Sequence, residues 1–211
     1  DDWLSCRHAT GVAYLNGKPG TGVAEFNTLY ERLRKNHESI SRVQVSHSEM
    51  SDIVLGSGIA KEKVFLIPIG INLSFFPLQT ADARKQARSK YGIPQAAAVI
   101  GSFLTDGGGW EEGMEPKMIK GPDILLKTVE RLKSRFPELF VLLSGPARGY
   151  IKNGLNRIGV PFKHVILDRY DEIADLYQAS DLCLVASRQE GGPKAVLEAM
   201  ASGVPLVTTR V

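Results

Sequence analysis

Two carboxylates, Glu190 and Glu198, stand eight positions apart in QEGGPKAVLEAMASGVP, residues 189–205. Gly191, Gly192 and Pro193 lie between them, and Gly203 and Pro205 follow. This order reads as a turn entering a helix. Gly192 serves as the N-cap, Pro193 takes the first helical position, where a missing N–H costs nothing, and Gly203 with Pro205 ends the helix near Ser202. A helix start presents unpaired N–H groups and the positive end of the dipole, so it favours an anion. Two residues without side chains let a phosphate approach the backbone closely. Glu198 falls six residues beyond the cap, about 9 Å up the helix. An acid on each side of a phosphate-binding turn suits a molecule with hydroxyls at both ends and phosphates in its middle. A nucleotide-sugar is such a molecule, and charged acceptors pair well with neutral hydroxyl donors. Each acid alone has a plainer reading: Glu198 as an exposed helix residue paired with Lys194, Glu190 as a charge that favours the helix dipole.

A turn of this kind needs a strand before it and a sheet around it. LCLVAS (182–187) is that strand. AAVIGSF (97–103), FVLLSG (140–145), HVILDRY (164–170) and PLVTT (205–209) read the same way. Helical runs lie between them: GPDILLKTVERLKSRF, GYIKNGLNRIG, DEIADLYQAS and PKAVLEAMAS. Alternation at these lengths implies βαβ units and an α/β fold with a parallel sheet. The strands are nearly continuous apolar runs, as a sheet covered on both faces requires. Such sheets bind ligands beyond the carboxyl ends of their strands. That directs attention to the loops 102–120, 145–149, 168–171, 187–192 and 208–210. The 102–120 loop is long and Gly-rich, a length that marks a functional or a disordered segment. Arg148, Arg169 and Arg188 each follow a strand at this edge, where one or two of them could meet phosphate.

Residues 1–80 read differently. GVAYLNG (11–17) is a short strand into a turn, and Phe26, Leu29, Tyr30 and Leu33 fall at helical spacing. RVQVS (42–46) reads as a strand, Ser46 and Glu49 as the S-x-x-E box of a helix start, and KVFLIPIG (63–70) as a short buried strand. INLSFFPLQT then makes a hinge. The division expected is therefore 1–80, the end of one domain with its hinge, and 81–211, a second domain.

Bulk properties exclude several classes. The chain has 211 residues, with 26 Lys plus Arg against 23 Asp plus Glu, and a net charge of +3 gives no footprint for nucleic acid. Cys183 lies in an apolar run and reads as core. Cys6 and His8 could be half of a metal site, but no second pair has ligand spacing. Nothing suggests a disulfide scaffold, so a reducing, cytoplasmic setting is expected. No apolar run approaches a membrane span and the N-terminus has no signal-peptide layout. The chain starts without Met and stops at Val211 just after a strand, which reads as a piece of a longer protein. The basic side of the 26–40 helix (Arg32, Arg34, Lys35) reads as an ordinary amphipathic surface, with peripheral contact to anionic lipid at the inner face of a membrane as the alternative.

EGGPKAVLEAMASGVPLVTT resembles the E-x7-E motif of the retaining nucleotide-sugar glycosyltransferases of family 4, which have the GT-B fold. VSHSEMSDIVLGSGIAKEKVFLIPIGINLSFFP resembles the segment by which that family crosses between its two domains, and MIKGPDILLKTVERL resembles the Lys-Gly helix start of the second. The likeness runs from about Arg42 to Val211. It implies a Rossmann-like parallel sheet with helices on both faces, plus part of a second Rossmann-like domain. It implies transfer of a sugar from a nucleoside diphosphate, UDP- or GDP-linked, to a saccharide or lipid-linked acceptor hydroxyl with retention of configuration, and neither cofactor nor metal. By resemblance Glu190 holds the donor sugar and Glu198 the ribose, Gly191 and Gly192 meet sugar and phosphate, Lys120 neutralises the diphosphate, and Tyr170 lies at the base. The family commonly has Arg after the Gly that ends the domain's first strand; here Gly101 is followed by Ser102, and Lys117 is the candidate to supply the charge. The family's frequent His in the first domain has Asn16 in the comparable place, so no general base is assigned, and His37, His47 and His164 read as ordinary residues. Two other readings stay open. One is a non-catalytic nucleotide-sugar-binding module. The other is a glycosidase using Glu190 and Glu198 as its acid pair. A dinucleotide oxidoreductase is disfavoured, because no G-x-G-x-x-G follows a strand.

Overall fold

A computed structural model describes residues 12–14, 17–109 and 111–210. Asn16, Cys6 and His8 lie outside the described residues. Two compact units are present: residues 1–70 with Gln189–Pro193, and Ile71–Arg188 with Lys194–Val211.

The first unit has a parallel sheet of β1 (Val12–Tyr14), β2 (Arg42–Val45) and β3 (Val64–Leu66) in the order β1-β2-β3. The helices are α1 (Ala24–Asn36) and α2 (Ser48–Gly56). Leu33, Ile40, Val43, Val45, Met50, Val54 and Ile59 form its core. Two local expectations are corrected here. The Ser46–Glu49 box does not form: α2 begins at Ser48 after His47, the Glu49 carboxylate pairs with Lys18 at 2.7 Å, and the Ser46 hydroxyl donates to the Gly191 carbonyl. The 63–70 run is not a buried strand. Only Val64–Leu66 pair, and Phe65 and Leu66 stay 41% and 55% exposed, with the Arg42 guanidinium 5.6 Å from the Phe65 ring.

The second unit has five parallel strands: β4 (Ala98–Ser102), β5 (Leu139–Ser144), β6 (Phe162–Val165), β7 (Leu182–Val185) and β8 (Leu206–Thr208). Their order is β6-β5-β4-β7-β8. The chain winds one way from β4 through β5 to β6, then crosses to β7 and β8. The carboxyl ends of β4 and β7 therefore flank a topological switch point, where such sheets bind ligands. Alternate strand residues serve opposite faces. Ile100, Val141, Leu143 and Leu184 pack with α4 (Pro122–Lys133) and α5 (Gly149–Ile158). Val99, Phe140 and Leu142 pack with α3 (Ala81–Tyr91) and α6 (Ile173–Ala179), while Cys183 and Val185 pack with α6 and α7 (Lys194–Ala201). Burial on both faces is why the strands read as unbroken apolar runs.

Three features differ from the sequence reading. The break between units falls at Gly70 rather than residue 80, because Phe76 is buried beside Tyr177 and the Gln79 amide donates to the carbonyls of Gln178 and Ser180 at 2.8 Å each. Helix α3 had no apolar stripe to announce it. Thr80 caps its start, its hydroxyl oxygen accepting from the Ala83 N–H at 3.1 Å, and Gly92 ends it at φ +67. Strand β6 stops at Val165, and Tyr170–Glu172 form a turn of 3₁₀ helix instead of extending the strand.

Candidate functional site

Helix α7 begins at Lys194, so Pro193 precedes the helix and Gly192 is not its cap. Glu198 is therefore one turn in, and it is buried, at 3% exposure, not on the surface beside Lys194. Two phenols hold it. Tyr177 of α6, fully buried, donates to Glu198 Oε2 at 2.8 Å. Tyr170, in the 3₁₀ turn after β6 and 44% exposed, donates to Oε1 at 2.5 Å. A buried carboxylate is stable only with such donors. Burial and the Glu198 charge push both phenols above their ordinary range. They push the neighbouring Cys183 thiol up to about 12. Aromatic edges fix the arrangement: Phe103 meets Tyr177 at 4.8 Å, Phe75 and Phe76 meet Tyr170 at 6.2 and 6.1 Å, and Lys194 Nζ lies 5.5 Å from the Tyr170 ring. The sequence singled out Glu198 and Tyr170 separately, without their hydrogen bond, and gave no sign of Tyr177, which looks like any apolar position of a helix.

At the end of β4, Ser102 is buried, and its hydroxyl accepts from Arg148 Nη2 at 3.0 Å. Arg148 comes from the β5–α5 loop. Its Nη1 also donates to the carbonyls of Ser102 and Ser144 at 3.1 Å and to that of Leu104. Its Nε lies 3.1 Å from Asp106 Oδ1, and the two side chains are 0% and 2% exposed. That contact is an ion pair whose angle falls outside hydrogen-bond geometry. Burial pulls the guanidinium below its usual range and lifts the Asp106 carboxyl above its own, against the attraction of Arg148. A guanidinium thus does reach Ser102, but from the loop after the neighbouring strand, and protein oxygens surround it.

The Gly-rich loop folds back on itself. Gly107 and Pro116 form an antiparallel bridge, and the Lys117 N–H donates to the Asp106 carbonyl at 2.7 Å. The loop also caps α5: the N–H groups of Gly149 and Tyr150 donate to the carbonyls of Glu112 and Gly113 at 2.5 and 3.0 Å. The start of α5 is thereby closed by the chain itself. Lys117 is exposed, directly before the 3₁₀ turn Met118–Lys120.

Lys120 is half-buried in that turn, which is pinned to the end of β7. Gly121 follows at φ +64, and a Cβ there would stand 1.9 Å from the Ala186 carbonyl oxygen, so only glycine fits. The Arg188 N–H donates to Ile119 O at 2.8 Å, and its guanidinium donates to Met118 O at 2.6 Å and grips Asp123 with both nitrogens at 2.8 Å. Arg188 therefore acts on the loop that carries Lys120. Arg169 is exposed and paired with Asp171. His164 Nε2 donates to Gly145 O at 2.8 Å, and burial lowers its pKa.

Gln189–Pro193 group with the first unit. Glu190 is half-buried and Gly191 buried there. Gly192 sits at φ +143, where a Cβ would come 2.4 Å from Ile69 Cδ1. Among the described residues no group of three or more His, Cys, Asp or Glu could hold a metal, and no helix is long and apolar enough to cross a membrane.

Residues 113–211 match the family model described as Glycosyl transferases group 1. D-inositol 3-phosphate glycosyltransferase of Corynebacterium jeikeium is 28% identical over 173 residues, an alignment covering 77% of this chain and 39% of that protein. This chain thus spans about two fifths of the length of that relative. Anabaena HepE in complex with UDP-glucose superposes with a TM-score of 0.71 at 21% identity, over 93% of this chain and 52% of that one. WaaG, a glycosyltransferase involved in lipopolysaccharide biosynthesis, superposes with a TM-score of 0.71 at 20% identity, over 90% and 50%. Residues 113–211 thus match the group 1 glycosyl transferase family model, and the chain has the GT-B-type α/β fold of its structural neighbours.

Proposed function

We propose that the second unit binds a nucleoside diphosphate sugar, UDP- or GDP-linked, and that the protein moves the sugar to an acceptor hydroxyl with retention of configuration. The observation that carries this reading is the buried Glu198 carboxylate at the ligand edge of a switch-point sheet, oriented by a buried phenol. A carboxylate that pairs with no cation among the described residues is suited to hydroxyl donors such as those of ribose. The glycosidase alternative loses ground for the same reason, because a phenol already donates to each oxygen of Glu198.

In this reading Glu198 accepts from the ribose. Lys120, fixed by the Gly121 and Arg188 contacts, faces the diphosphate with Lys117 in support, and Glu190 holds the sugar hydroxyls. The acceptor oxygen bonds to the anomeric carbon as the carbon–phosphate-oxygen bond breaks, and the acceptor proton passes to an oxygen of the departing diphosphate. Lysine charge stabilises that leaving group in place of a metal ion. The acceptor is a saccharide or a lipid-linked hydroxyl.

The test is release of UDP or GDP by the intact protein from a panel of nucleotide-sugars and acceptors, with the product's anomeric configuration read by NMR. Transfer that persists in EDTA, falls at least tenfold in Lys120→Ala and shows a severalfold rise in donor KM in Lys117→Ala supports the reading. Donor binding with neither transfer nor donor hydrolysis points to a binding module. Release of free sugar from an aryl glycoside without nucleotide points to a glycosidase.

A further inference from the structure

The two phenols on Glu198 are not equivalent. Tyr177 is fully buried, packed by Phe76 and Phe103, and has nowhere to go. Tyr170 is 44% exposed and sits in a single turn of 3₁₀ helix, touched at its edges by Phe75 and Phe76 and flanked by the exposed Lys194. Glu198 itself is only 3% exposed, and of the two phenols on its oxygens only Tyr170 reaches solvent. The Tyr170 hydroxyl on Oε1, at 2.5 Å, makes the kind of contact a sugar hydroxyl would make.

We infer that Tyr170 is an exchangeable occupant of Glu198, displaced from Oε1 by a ribose hydroxyl of the nucleotide, while Tyr177 remains as the fixed positioning residue on Oε2. The inference rests on the nucleotide reading given above and goes beyond it by assigning opposite roles to the two tyrosines. In the free protein the Tyr170 phenol keeps the carboxylate satisfied, which an unpartnered buried acid could not be. When nucleotide binds, one hydroxyl replaces another, so the net gain from the ribose is reduced by the bond that is given up. Tyr170 thereby sets how strongly Glu198 rewards a ribose over a sugar lacking hydroxyls. Its ring keeps edge contacts at about 6 Å and a lysine at 5.5 Å, so displacement needs only the hydroxyl to leave Oε1, with the 44% exposed ring free to hold its place. Tyr177 works in the other direction: without its hydrogen bond Glu198 is free to rotate away from the position that meets the ribose.

Isothermal titration of the intact protein with UDP and GDP, each beside its 2′,3′-dideoxy counterpart, tests this. Tyr170→Phe is expected to tighten the ribonucleotide by about tenfold, the worth of one hydrogen bond that need not be broken, and to leave the dideoxy nucleotide unchanged. Tyr177→Phe is expected to weaken the ribonucleotide by about tenfold and to narrow its advantage over the dideoxy form. The inference is overturned if Tyr170→Phe leaves the ribonucleotide unchanged, weakens it, or tightens both nucleotides alike. If the wild type binds neither UDP nor GDP, the functional reading and this inference fall together. Binding by the wild type without the opposed effects of the two variants sinks the inference alone.

Discussion

Two arginines, Arg88 and Arg148, are buried whole in the second unit, each at 1% exposure, on opposite edges of the sheet. Arg88 serves the amino edge. It donates to the carbonyls of Ala179, Gln95 and Ala97 and to Asp181 Oδ2 at 2.7 Å. Asp181 remains 28% exposed, pairs also with Arg84, and accepts from the Val99 N–H at 2.8 Å. Arg148 serves the carboxyl edge, and Asp106 beside it is sealed at 2%. The first acid keeps a second arginine, a strand N–H and some water, whereas the second is sealed and has besides its arginine a backbone hydrogen bond and the charge of Lys117. The amino edge is a staple that tolerates damage, and the carboxyl edge holds the loop leading to Lys117 and Lys120 by a pair that does not.

The largest effect should come from Arg148→Met, which strands a buried carboxylate and is expected to cost about 3–5 kcal/mol in urea unfolding. Arg88→Met should cost about half as much, since Asp181 keeps Arg84 and the Val99 N–H; equal losses would break the comparison. Next comes the double change Arg148→Met with Asp106→Leu. It should recover only part of the Arg148→Met loss, because the stranded carboxylate is removed but the carbonyls of Ser102, Leu104 and Ser144 still lack their donor, while kcat/KM stays at least several-fold down because the 103–117 loop has lost its anchor. Full recovery of both would reduce the pair to packing.

A smaller effect is set by pH. Burial raises the folded pKa of Asp106 above its unfolded value, so the native state takes up the proton first as pH falls. Its contribution is fully present below the unfolded carboxylate range and is lost as pH rises through the raised value. Urea midpoints of wild type and Asp106→Asn should therefore diverge on the acid side in favour of wild type. The smallest effect belongs to Arg188→Gln, expected to cost less than about 1 kcal/mol. Its hydrogen bonds hold the Asp123 carboxyl below its ordinary range, so the loss should fade as pH drops through that depressed value.

The three inner strands β4, β5 and β7 were legible in the sequence because double-sided burial leaves unbroken apolar runs, whereas the edge strand β6, partly exposed, was read two residues late and too long; Glu198 was singled out by its spacing after the Gly-Gly-Pro turn. What could not be read depends on distant partners. Tyr170 meets Glu198 across 28 positions and Arg148 meets Ser102 across 46, and no local pattern announces either. Helix α3 escaped notice because its buried face is Ala87 and the stem of Arg88, not a stripe of large apolar residues. The start of α7 was read one residue early because Pro193 is compatible both with a first helical position and with the residue before one. The Ser46–Glu49 box failed for a related reason: the acid has a lysine within reach, and the ion pair prevailed over the cap.

Cys183, at 0% exposure with its thiol pushed up to about 12 by burial and by Glu198, carries almost no thiolate at neutral pH. Alkylating reagents can reach it only when β7 and α7 part. With Cys6, the other cysteine of the chain, changed to Ser, the rate of labelling becomes a clock for how often the floor beneath Glu198 opens. A ligand seated on that carboxylate should slow the clock in proportion to its occupancy.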